Sequence, residues 1–267
     1  LGVKVYAVDV ADNSIVNPLT KAKYKFDLDA AIEDVKAITV EFEHIPDDLL
    51  AKVAATGKLY PNVKSILAGA DRVREKQLLR QHNVANCAYE IITSVEQLAG
   101  IDARLGKKLV FKSSRDGYDG YGQWRMQSSE ELAGLRERFA KLDLKKVPII
   151  AEAFAPFSRE ISVVGARDAS GKISCFDIAE NLHYEGQLHV SVAPATNLND
   201  SLRQQASSIF ESIANGLDYI GVLAVELFQV GETLLVNEIA PRVHNSGHWT
   251  QKGADTCQFE QHIRAVL

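Results

Sequence analysis

Cysteine is scarce in this sequence, and the spacing of the few cysteines excludes two kinds of site. The chain has 267 residues and three cysteines, Cys87, Cys175 and Cys257, which lie far apart. An odd number of widely spaced cysteines without a Cys-x-x-Cys pair favours neither a disulfide framework nor a structural zinc site. We therefore expect a protein of a reducing compartment and predict a cytoplasmic location.

An excess of positive charge is also missing. Lysine and arginine number 30 against 35 acids, which leaves a net charge of −5. Nucleic-acid-binding proteins usually carry a basic stripe, so we expect no nucleic-acid partner. No apolar run reaches the length of a membrane span, so we expect no membrane partner either.

What remains is the composition of an ordinary globular protein, with 46% hydrophobic and 24% charged residues. Two short apolar runs, residues 3–8 and 37–42, predict buried parallel strands, with helices near residues 30–35 and 47–55. Asp9 follows the first run, where a dinucleotide site would place its ribose-binding acid. No Gly-x-Gly-x-x-Gly motif precedes Asp9, so the sequence offers little support for such a site.

Two apolar runs near the C-terminal end carry one acid each. Residues 221–230 and 234–240 flank a Gly-Glu-Thr turn, a pattern typical of an antiparallel hairpin. A loop centred on residue 232 places Glu226 opposite Glu238, and opposite residues of an antiparallel pair point to the same face. Two buried carboxylates this close repel each other unless a cation lies between them, and oxygen ligands favour Mg²⁺. The alternative is two strand acids that face solvent.

The segment after the second acid is dense in hydrogen-bonding side chains, as is typical of the loops that carry chemistry in α/β enzymes. An acid on one strand, Asn-Glu on the next and a Pro-Arg loop together resemble the metal-binding end of the ATP-grasp ligases. The string NEIAPRVHNSGHWT, with QFEQHIRA after it, resembles in particular the 5-(carboxyamino)imidazole ribonucleotide synthases of purine biosynthesis. A run of this length is far more specific than the acid pair alone.

This resemblance implies an α/β chain with the ATP-grasp fold, two α+β lobes, behind a truncated Rossmann-like domain. We expect the Rossmann-like domain at residues 1–68, the small lobe with a linker helix at 69–147, and the large lobe with the metal and acceptor sites at 148–267. Family members open with a strand, a glycine-rich turn and a helix, and they close with a further small domain. Both parts are expected to be missing from residues 1–267.

Lys112 stands in an apolar strand, and glycines recur soon after it. On residue types alone, a hairpin turn explains this pattern equally well. In ATP-grasp ligases the same order holds the nucleotide, because the lysine contacts the phosphates and a glycine-rich flap covers them. The implied flap consists of Gly117, Tyr118, Asp119, Gly120, Tyr121, Gly122 and Gln123.

The flap departs from the family pattern in its charge. Family members usually have basic residues where this chain has Ser113, Ser114 and Tyr121. Arg115 could substitute for them; otherwise the flap would hold phosphate less strongly than is typical.

The resemblance also implies the rest of the nucleotide site. It includes an arginine at the start of a helix predicted at residues 71–81, a hinge whose backbone pairs with adenine, an acid on the ribose hydroxyls and a histidine predicted in a loop between strands. On residue types alone, the arginine could belong to a solvated helix face, the acid could be a surface residue of a strand, and the histidine could lie in an ordinary polar loop. The implied residues are Arg72, Glu152, Ala153, Phe154, Ala155, Glu160, His183 and Asn237, with Glu226 and Glu238 as ligands of Mg²⁺.

The implied reaction joins ATP, bicarbonate and 5-aminoimidazole ribonucleotide, and it releases the carboxyamino product, ADP and phosphate. Arg242 would hold bicarbonate and carboxyphosphate, because its guanidinium fork matches planar oxyanions. His244 and Asn245 would orient bicarbonate or the acceptor. The implied cofactors are ATP and Mg²⁺, the partners are the small-molecule substrates, and a homodimer is expected.

Residues 41–46 also match the family, and they either end a strand with exposed acids or contact the substrate.

Two other interpretations stay open on the sequence. The formate-dependent glycinamide ribonucleotide transformylase is an ATP-grasp ligase with a similar Pro-Arg-x-His loop, which departs from this chain at residues 245–249. The other possibility is a nucleotide-binding fragment without turnover.

Overall fold

The computed structural model describes residues 2–115, 117, 121–184 and 186–267. Its N-terminal segment contains a short hairpin and four helices, and three of these helices begin at an Asp or Asn whose side chain accepts a backbone N–H of the first turn. In the described part of the chain, no helix is both long enough and apolar enough to cross a membrane. The elements of the segment are β1 (Ala7–Asp9), β2 (Ser14–Val16), α1 (Leu28–Asp34), α2 (Asp47–Ala54), α3 (Val63–Ala70) and α4 (Arg72–Gln81).

The predicted helices of this segment are confirmed, but the two buried parallel strands are wrong. β1 pairs antiparallel with β2, and Val3 and Val5 before it are exposed. The chain returns within a few residues after β1, whereas a parallel neighbour would need a crossover of about a dozen residues or more. In the second run, Ile38 forms an isolated parallel bridge with Leu59.

The small lobe is an antiparallel four-stranded sheet with helices packed on one face. Its elements are β3 (Tyr89–Ile92), α5 (Ile101–Leu105), β4 (Leu109–Ser113), β5 (Gln123–Met126), α6 (Leu132–Phe139) and β6 (Ile149–Ala153), and the strand order is β3-β6-β4-β5. Phe139 of α6 meets Phe111 of β4 and Trp124 of β5 edge-on, with ring centroids 5.4 and 5.0 Å apart. These contacts fill the core between the sheet and α6.

The large lobe is a six-stranded antiparallel sheet with one long helix. Its elements are β7 (Arg159–Arg167), β8 (Ile173–Cys175), β9 (Ala179–Tyr184), β10 (Gln187–Val192), α7 (Asp200–Gly216), β11 (Gly221–Val230), β12 (Thr233–Ala240), α8 (Thr250–Gly253) and α9 (Gln258–Val266). The strand order is β10-β9-β7-β11-β12, with β8 paired to β7. The long helix α7 begins after the Asn199 cap, and Leu202, Ala206, Phe210 and Ile213 are buried along it.

The central strand β11 is buried on both faces, which explains its nearly unbroken apolar sequence. Leu223 and Val225 pack into the core that contains α7, whereas Val222 and Ala224 lie in a smaller cluster with Ala265 of α9. Side chains alternate between the two faces along a strand. The next even-numbered residue, Glu226, therefore lies on the face that carries α9.

Candidate active site

The two strand acids meet as predicted. Glu226 of β11 lies directly opposite Glu238 of β12. The turn itself is tighter than expected, because Val230 pairs with Thr233 and only two residues separate them. A register shift at Asn237 adds one residue to β12 and restores the 226–238 pairing. Bulges of this kind re-aim side chains near active sites.

The two carboxylates differ in their affinity for protons. Burial and the neighbouring Glu238 raise the pKa of Glu226 to about 8. Burial acts in the same direction on Glu238, but the guanidinium of Arg72, 3.0 Å from Glu238 Oε2, outweighs it and holds the pKa of Glu238 below its ordinary value. A cation between the two groups would favour the ionised form of both.

The donor set fits Mg²⁺. Among the described residues, no group of three or more His, Cys, Asp or Glu side chains is placed to hold a metal ion. Mg²⁺, however, is commonly bound by one or two carboxylates, and substrate phosphates and water complete its shell. Two carboxylates that face each other and that a cation would keep ionised are suited to such an ion.

Lys112 of β4 reaches across from the small lobe to the large one. Its side chain is buried, and Nζ lies 2.7 Å from Glu152 Oε2 and donates to Asn237 Oδ1 at 3.1 Å. The bulge on β12 thus turns Asn237 towards this lysine. The structure therefore brings four of the implied site residues, Lys112, Glu152, Asn237 and Glu238, to one boundary between the lobes.

Glu152 at the end of β6 is bound by two lysines. Its second oxygen, Oε1, lies 2.5 Å from Nζ of Lys76, a residue of α4 that the sequence analysis did not single out. Burial would raise the pKa of Glu152, but Lys112 and Lys76 outweigh it and lower the pKa to about 2. A possible signal was the position of Lys76 four residues after Arg72, on the same helix face.

The hinge segment has part of its backbone in use. Ala153 N–H donates to the carbonyl of Ala88, and Phe154 N–H donates to the carbonyl of Lys108. Adenine would therefore meet other backbone groups of the segment. Phe154 is 40% exposed, so its ring is accessible from solvent.

Glu160 and His183 form a pair on adjacent strands. His183 Nδ1 lies 3.0 Å from Glu160 Oε2, and this carboxylate raises the pKa of His183 above its ordinary value. The predicted loop position of His183 is wrong, because the residue lies within β9. The surrounding sequence alternates too little to show a strand, whereas pairing with β7 and β10 forms one.

The loop after β12 places its arginine against the N-terminal segment. Arg242 Nε lies 2.9 Å from Glu43 Oε1, and the Glu43 side chain is only 10% exposed. Glu43 is therefore not one of the exposed acids of a strand end. This pair fixes one edge of the guanidinium and links the loop to residues 41–46.

His244 faces the acid pair, with Nε2 3.6 Å from Glu226 Oε1. Its Nδ1 lies 2.9 Å from Ser246 Oγ, and burial lowers the pKa of His244 to about 4. Asn245 starts a short 3-10 turn and is exposed. Arg242 and His244 are thus held in place, and the Asn245 side chain is accessible.

A buried glutamine from α9 braces this loop, and the sequence analysis assigned it no role. Gln258 Oε1 accepts the backbone N–H of His244 at 2.9 Å, and Nε2 donates to the His244 carbonyl at 2.8 Å. Gly247 is required here, because a Cβ at this position would clash with Gln258 Oε1. The string QFEQHIRA therefore supports the loop NEIAPRVHNSGHWT from behind.

Part of the implied flap lies outside the described residues, namely Tyr118, Asp119 and Gly120. Gln123 begins β5 opposite Lys112, and the carbonyl of Gly122 accepts the N–H of Ser113 at 2.7 Å. Tyr121 is 72% exposed. A Cβ added at Gly117 would lie 3.2 Å from the carbonyl oxygen of Tyr121.

Arg115, the suggested substitute for the missing basic residues, is engaged elsewhere. Its Nε lies 2.8 Å from Asp71 Oδ2, and Asp71 also caps α4. In this arrangement Arg115 joins the start of the flap to the helix that carries Arg72.

Comparisons with known proteins agree with this geometry. The ATP-grasp domain matches residues 77–259. The N5-carboxyaminoimidazole ribonucleotide synthase of Vibrio cholerae is 46% identical over all of this chain and 70% of its own length.

Two solved structures extend the comparison. The N5-carboxyaminoimidazole ribonucleotide synthetase of Thermus thermophilus is 35% identical, with a TM-score of 0.80 over 89% of this chain and 64% of that one. The synthase of Aspergillus clavatus, in complex with ADP and 5-aminoimidazole ribonucleotide, is 26% identical, with a TM-score of 0.78 over 88% of this chain and 60% of that one.

The chain spans less than two thirds of these two solved chains. The ATP-grasp match nevertheless covers most of its residues, and the similarity to the Vibrio cholerae synthase covers all of them. The chain belongs to the ATP-grasp family of ligases, among the N5-carboxyaminoimidazole ribonucleotide synthases.

Proposed function

We propose that this chain carries out the reaction of the synthases to which it belongs, the ATP- and bicarbonate-dependent carboxylation of 5-aminoimidazole ribonucleotide in purine biosynthesis. The observation that carries the proposal is the meeting of the Glu226–Glu238 pair with Lys112 and Asn237 where the two lobes face each other. Phosphoryl transfer depends mostly on positioning and charge neutralisation, and this boundary supplies acids for a metal and cations for phosphate.

The nucleotide would lie between the lobes. Lys112 and the flap residues 117–123 hold the phosphates, the hinge residues 152–155 contact adenine, and Glu160 with His183 holds the ribose. Arg72, which is paired with Glu238, orients that carboxylate. Three contacts between different elements support this assignment: Lys112 of β4 with Glu152 of β6, Arg72 of α4 with Glu238 of β12, and His183 of β9 with Glu160 of β7.

Mg²⁺ would be held by Glu226 and Glu238. When bound, it would supply positive charge that neutralises the negative charge developing on the transferred phosphoryl group. The chain's own contribution is to keep two carboxylates face to face, one of them held ionised by Arg72.

The acceptor side would be formed by the loop after β12. A bicarbonate oxygen attacks the γ-phosphorus of ATP and displaces ADP, which gives carboxyphosphate. The substrate amine then takes the carboxyl group, directly or through released CO₂, as inorganic phosphate leaves and the amine loses a proton. Arg242 binds the planar oxyanion, with Glu43 holding one edge of its guanidinium. His244, whose low pKa keeps it neutral at pH 7, and Asn245 orient bicarbonate or the amine through hydrogen bonds.

We also propose the three-part division at residues 1–68, 69–147 and 148–267. Separate hydrophobic clusters in the N-terminal segment, the small lobe and the large lobe support it. Helix α4 is assigned to the middle part by position in the chain, but its Leu78 and Leu79 pack into the core of the large lobe.

A homodimer in the cytoplasm is proposed as the working form. The β9–β10 hairpin lies at the edge of the large sheet, and its register puts four exposed apolar side chains on one face. Exposed apolar patches mark interaction surfaces. The four are Leu182, Tyr184, Val190 and Val192.

Sedimentation velocity tests the proposed dimer. We expect the parent chain to be a dimer and the double variant Leu182→Lys, Val190→Lys to be a monomer. A monomeric parent chain would refute the proposal.

One experiment separates the proposed reaction from its alternatives. ADP release is measured with bicarbonate or formate, with and without 5-aminoimidazole ribonucleotide. We expect release that needs both bicarbonate and the ribonucleotide. Release driven by formate and glycinamide ribonucleotide would identify a transformylase, and nucleotide binding without any stimulated release would identify a binding module.

A further inference from the structure

Lys76 of α4 is the most deeply buried charged side chain in the described part of the chain, with 1% exposure. Its Nζ lies 2.5 Å from Glu152 Oε1 and 5.6 Å from the centre of the Tyr89 ring. An ammonium in this position has no open surface to offer to a nucleotide. It is also outside the set of residues assigned to the site above.

Glu152 is shared between two ammonium groups. Lys76 takes Oε1, and Lys112 lies 2.7 Å from Oε2. One carboxylate carries one negative charge and each lysine one positive charge, so the three groups together keep a net charge of +1. Lys112 is the member of the trio that also reaches Asn237 at the lobe boundary.

The neighbouring acid, Glu75, is directed elsewhere. Its Oε2 accepts the backbone N–H of Ile239 on β12, and burial raises its pKa. The ion pairs of Lys76 and of Lys112 are both made with Glu152.

Helix α4 holds Lys76 firmly in this position. Arg72, Glu75 and Lys76 lie at i, i+3 and i+4, on one face of the helix. The first two contact β12 of the large lobe, whereas Lys76 reaches β6 of the small lobe. Leu78 and Leu79 pack into the core of the large lobe, which fixes the position of the helix backbone that carries Lys76.

We propose that Lys76 is a positioning residue for nucleotide binding, which occupies half of Glu152 and thereby leaves Lys112 with the positive charge that attracts phosphate. This rests on the proposed role of Lys112 at the phosphates of ATP. Without Lys76, both oxygens of Glu152 are free for Lys112, and the pair becomes neutral. The charge of Lys112 would then be cancelled by Glu152 and would attract the phosphates of the nucleotide less strongly.

The test is the affinity for MgATP, measured by titration calorimetry without bicarbonate or ribonucleotide. Lys76→Met keeps the length of the side chain and leaves the neutral Lys112–Glu152 pair, so the fold is expected to persist. We expect the affinity to fall about tenfold, since a unit charge removed several ångströms away acts through a medium of low effective dielectric constant. Arg80→Met is the matched control: Arg80 is an exposed cation on the same helix, and its loss should leave the affinity unchanged.

Lys76→Arg separates charge from packing. It keeps the positive charge beside Glu152 but changes the shape of the side chain, and we expect the affinity to stay within about threefold of the parent chain. If Lys76→Arg is as weak as Lys76→Met, the charge-sharing role is overturned in favour of packing.

Lys112→Met distinguishes this inference from the proposed function. If Lys112→Met leaves the affinity unchanged, the proposed phosphate site is wrong. If Lys112→Met weakens binding and Lys76→Met does not, the role of Lys76 is overturned and the proposed function stands. Should Lys76→Met fail to melt cooperatively, Lys76→Gln carries the test, because it removes the same charge but keeps a hydrogen-bond donor for Glu152. We expect its affinity to be about tenfold lower than that of Lys76→Arg, and equal affinities would overturn the role of Lys76.

Discussion

The stability of this protein should depend on pH through His262, a buried residue on α9 that joins two parts of the chain. Its Nδ1 accepts the backbone N–H of Val222 at 2.9 Å, and its Nε2 lies 2.6 Å from Thr39 Oγ1. Gly221 adopts φ +124° beside it, and a Cβ there would lie 2.8 Å from His262 Cε1. The imidazole is thus closely packed and acts as a hydrogen-bond acceptor on the Nδ1 side.

Protonation of this imidazole is unfavourable in the folded state. Burial lowers the pKa of His262 from 6.5 to about 4. The unfolded chain takes up the proton near pH 6.5, and the folded chain resists it until about pH 4, so the unfolded state binds more protons between these values. The stabilisation is therefore complete above pH 6.5 and is lost as the pH falls towards 4.

The size of the effect follows from the gap between the two pKa values. At about 1.4 kcal/mol per pKa unit, the full loss amounts to about 3 kcal/mol. Between pH 7.5 and pH 5, the loss is about 2 kcal/mol. This is a large share of the stability of a typical domain, which is about 5–15 kcal/mol.

Urea unfolding of the parent chain and of His262→Asn at both pH values measures this contribution. Asparagine keeps an oxygen that can accept the Val222 N–H but does not titrate. We expect the stability advantage of the parent chain over the variant to shrink by about 2 kcal/mol from pH 7.5 to pH 5. Other titrating groups, including the carboxylates, act on both chains and cancel. An advantage that is the same at both pH values would refute the reasoning.

Three further predictions concern the site. Glu226→Gln or Glu238→Gln should lower ADP release at least about 10²-fold with little change in melting temperature, because the amide has the shape but not the charge to hold Mg²⁺; near-normal release at ordinary Mg²⁺ would remove the metal assignment. Glu160→Gln should lower the pKa of His183 in an NMR titration, since the carboxylate that favours the imidazolium is gone; an unchanged titration would show that the pair is not formed in solution. Gln258→Leu should reduce turnover more than MgATP affinity, because it releases the loop that carries His244; an equal loss of both would place the glutamine in the general fold instead.

Local patterns predicted most of the elements that form the site. The apolar runs at residues 221–230 and 234–240, the helix predicted at residues 71–81 and the strand of Lys112 depend on short-range periodicity, and the structure confirms each of them. The same patterns were misleading where the pairing partner decides the outcome. Residues 3–8 were expected in a parallel sheet, and His183 was expected in a loop.

The pairing of Glu226 with Glu238 shows how a correct prediction can depend on a structural detail the sequence does not display. The two-residue turn alone would have set Glu226 opposite Asn237. The bulge restores the pairing with Glu238, and it also directs Asn237 towards Lys112. Bulges depend on the contacts of the whole sheet, so periodicity along one strand does not reveal them.

By itself the sequence determined the family and the order of the elements that carry the proposed site, because these are recorded in contiguous motifs. Only the tertiary structure decided which charges meet. Lys76 is buried against Glu152, Glu43 holds Arg242, and Gln258 supports the loop of His244. In each case the partners are distant in the chain, and the energy of a charge or hydrogen bond depends on burial and separation in space, which no local pattern of residues specifies.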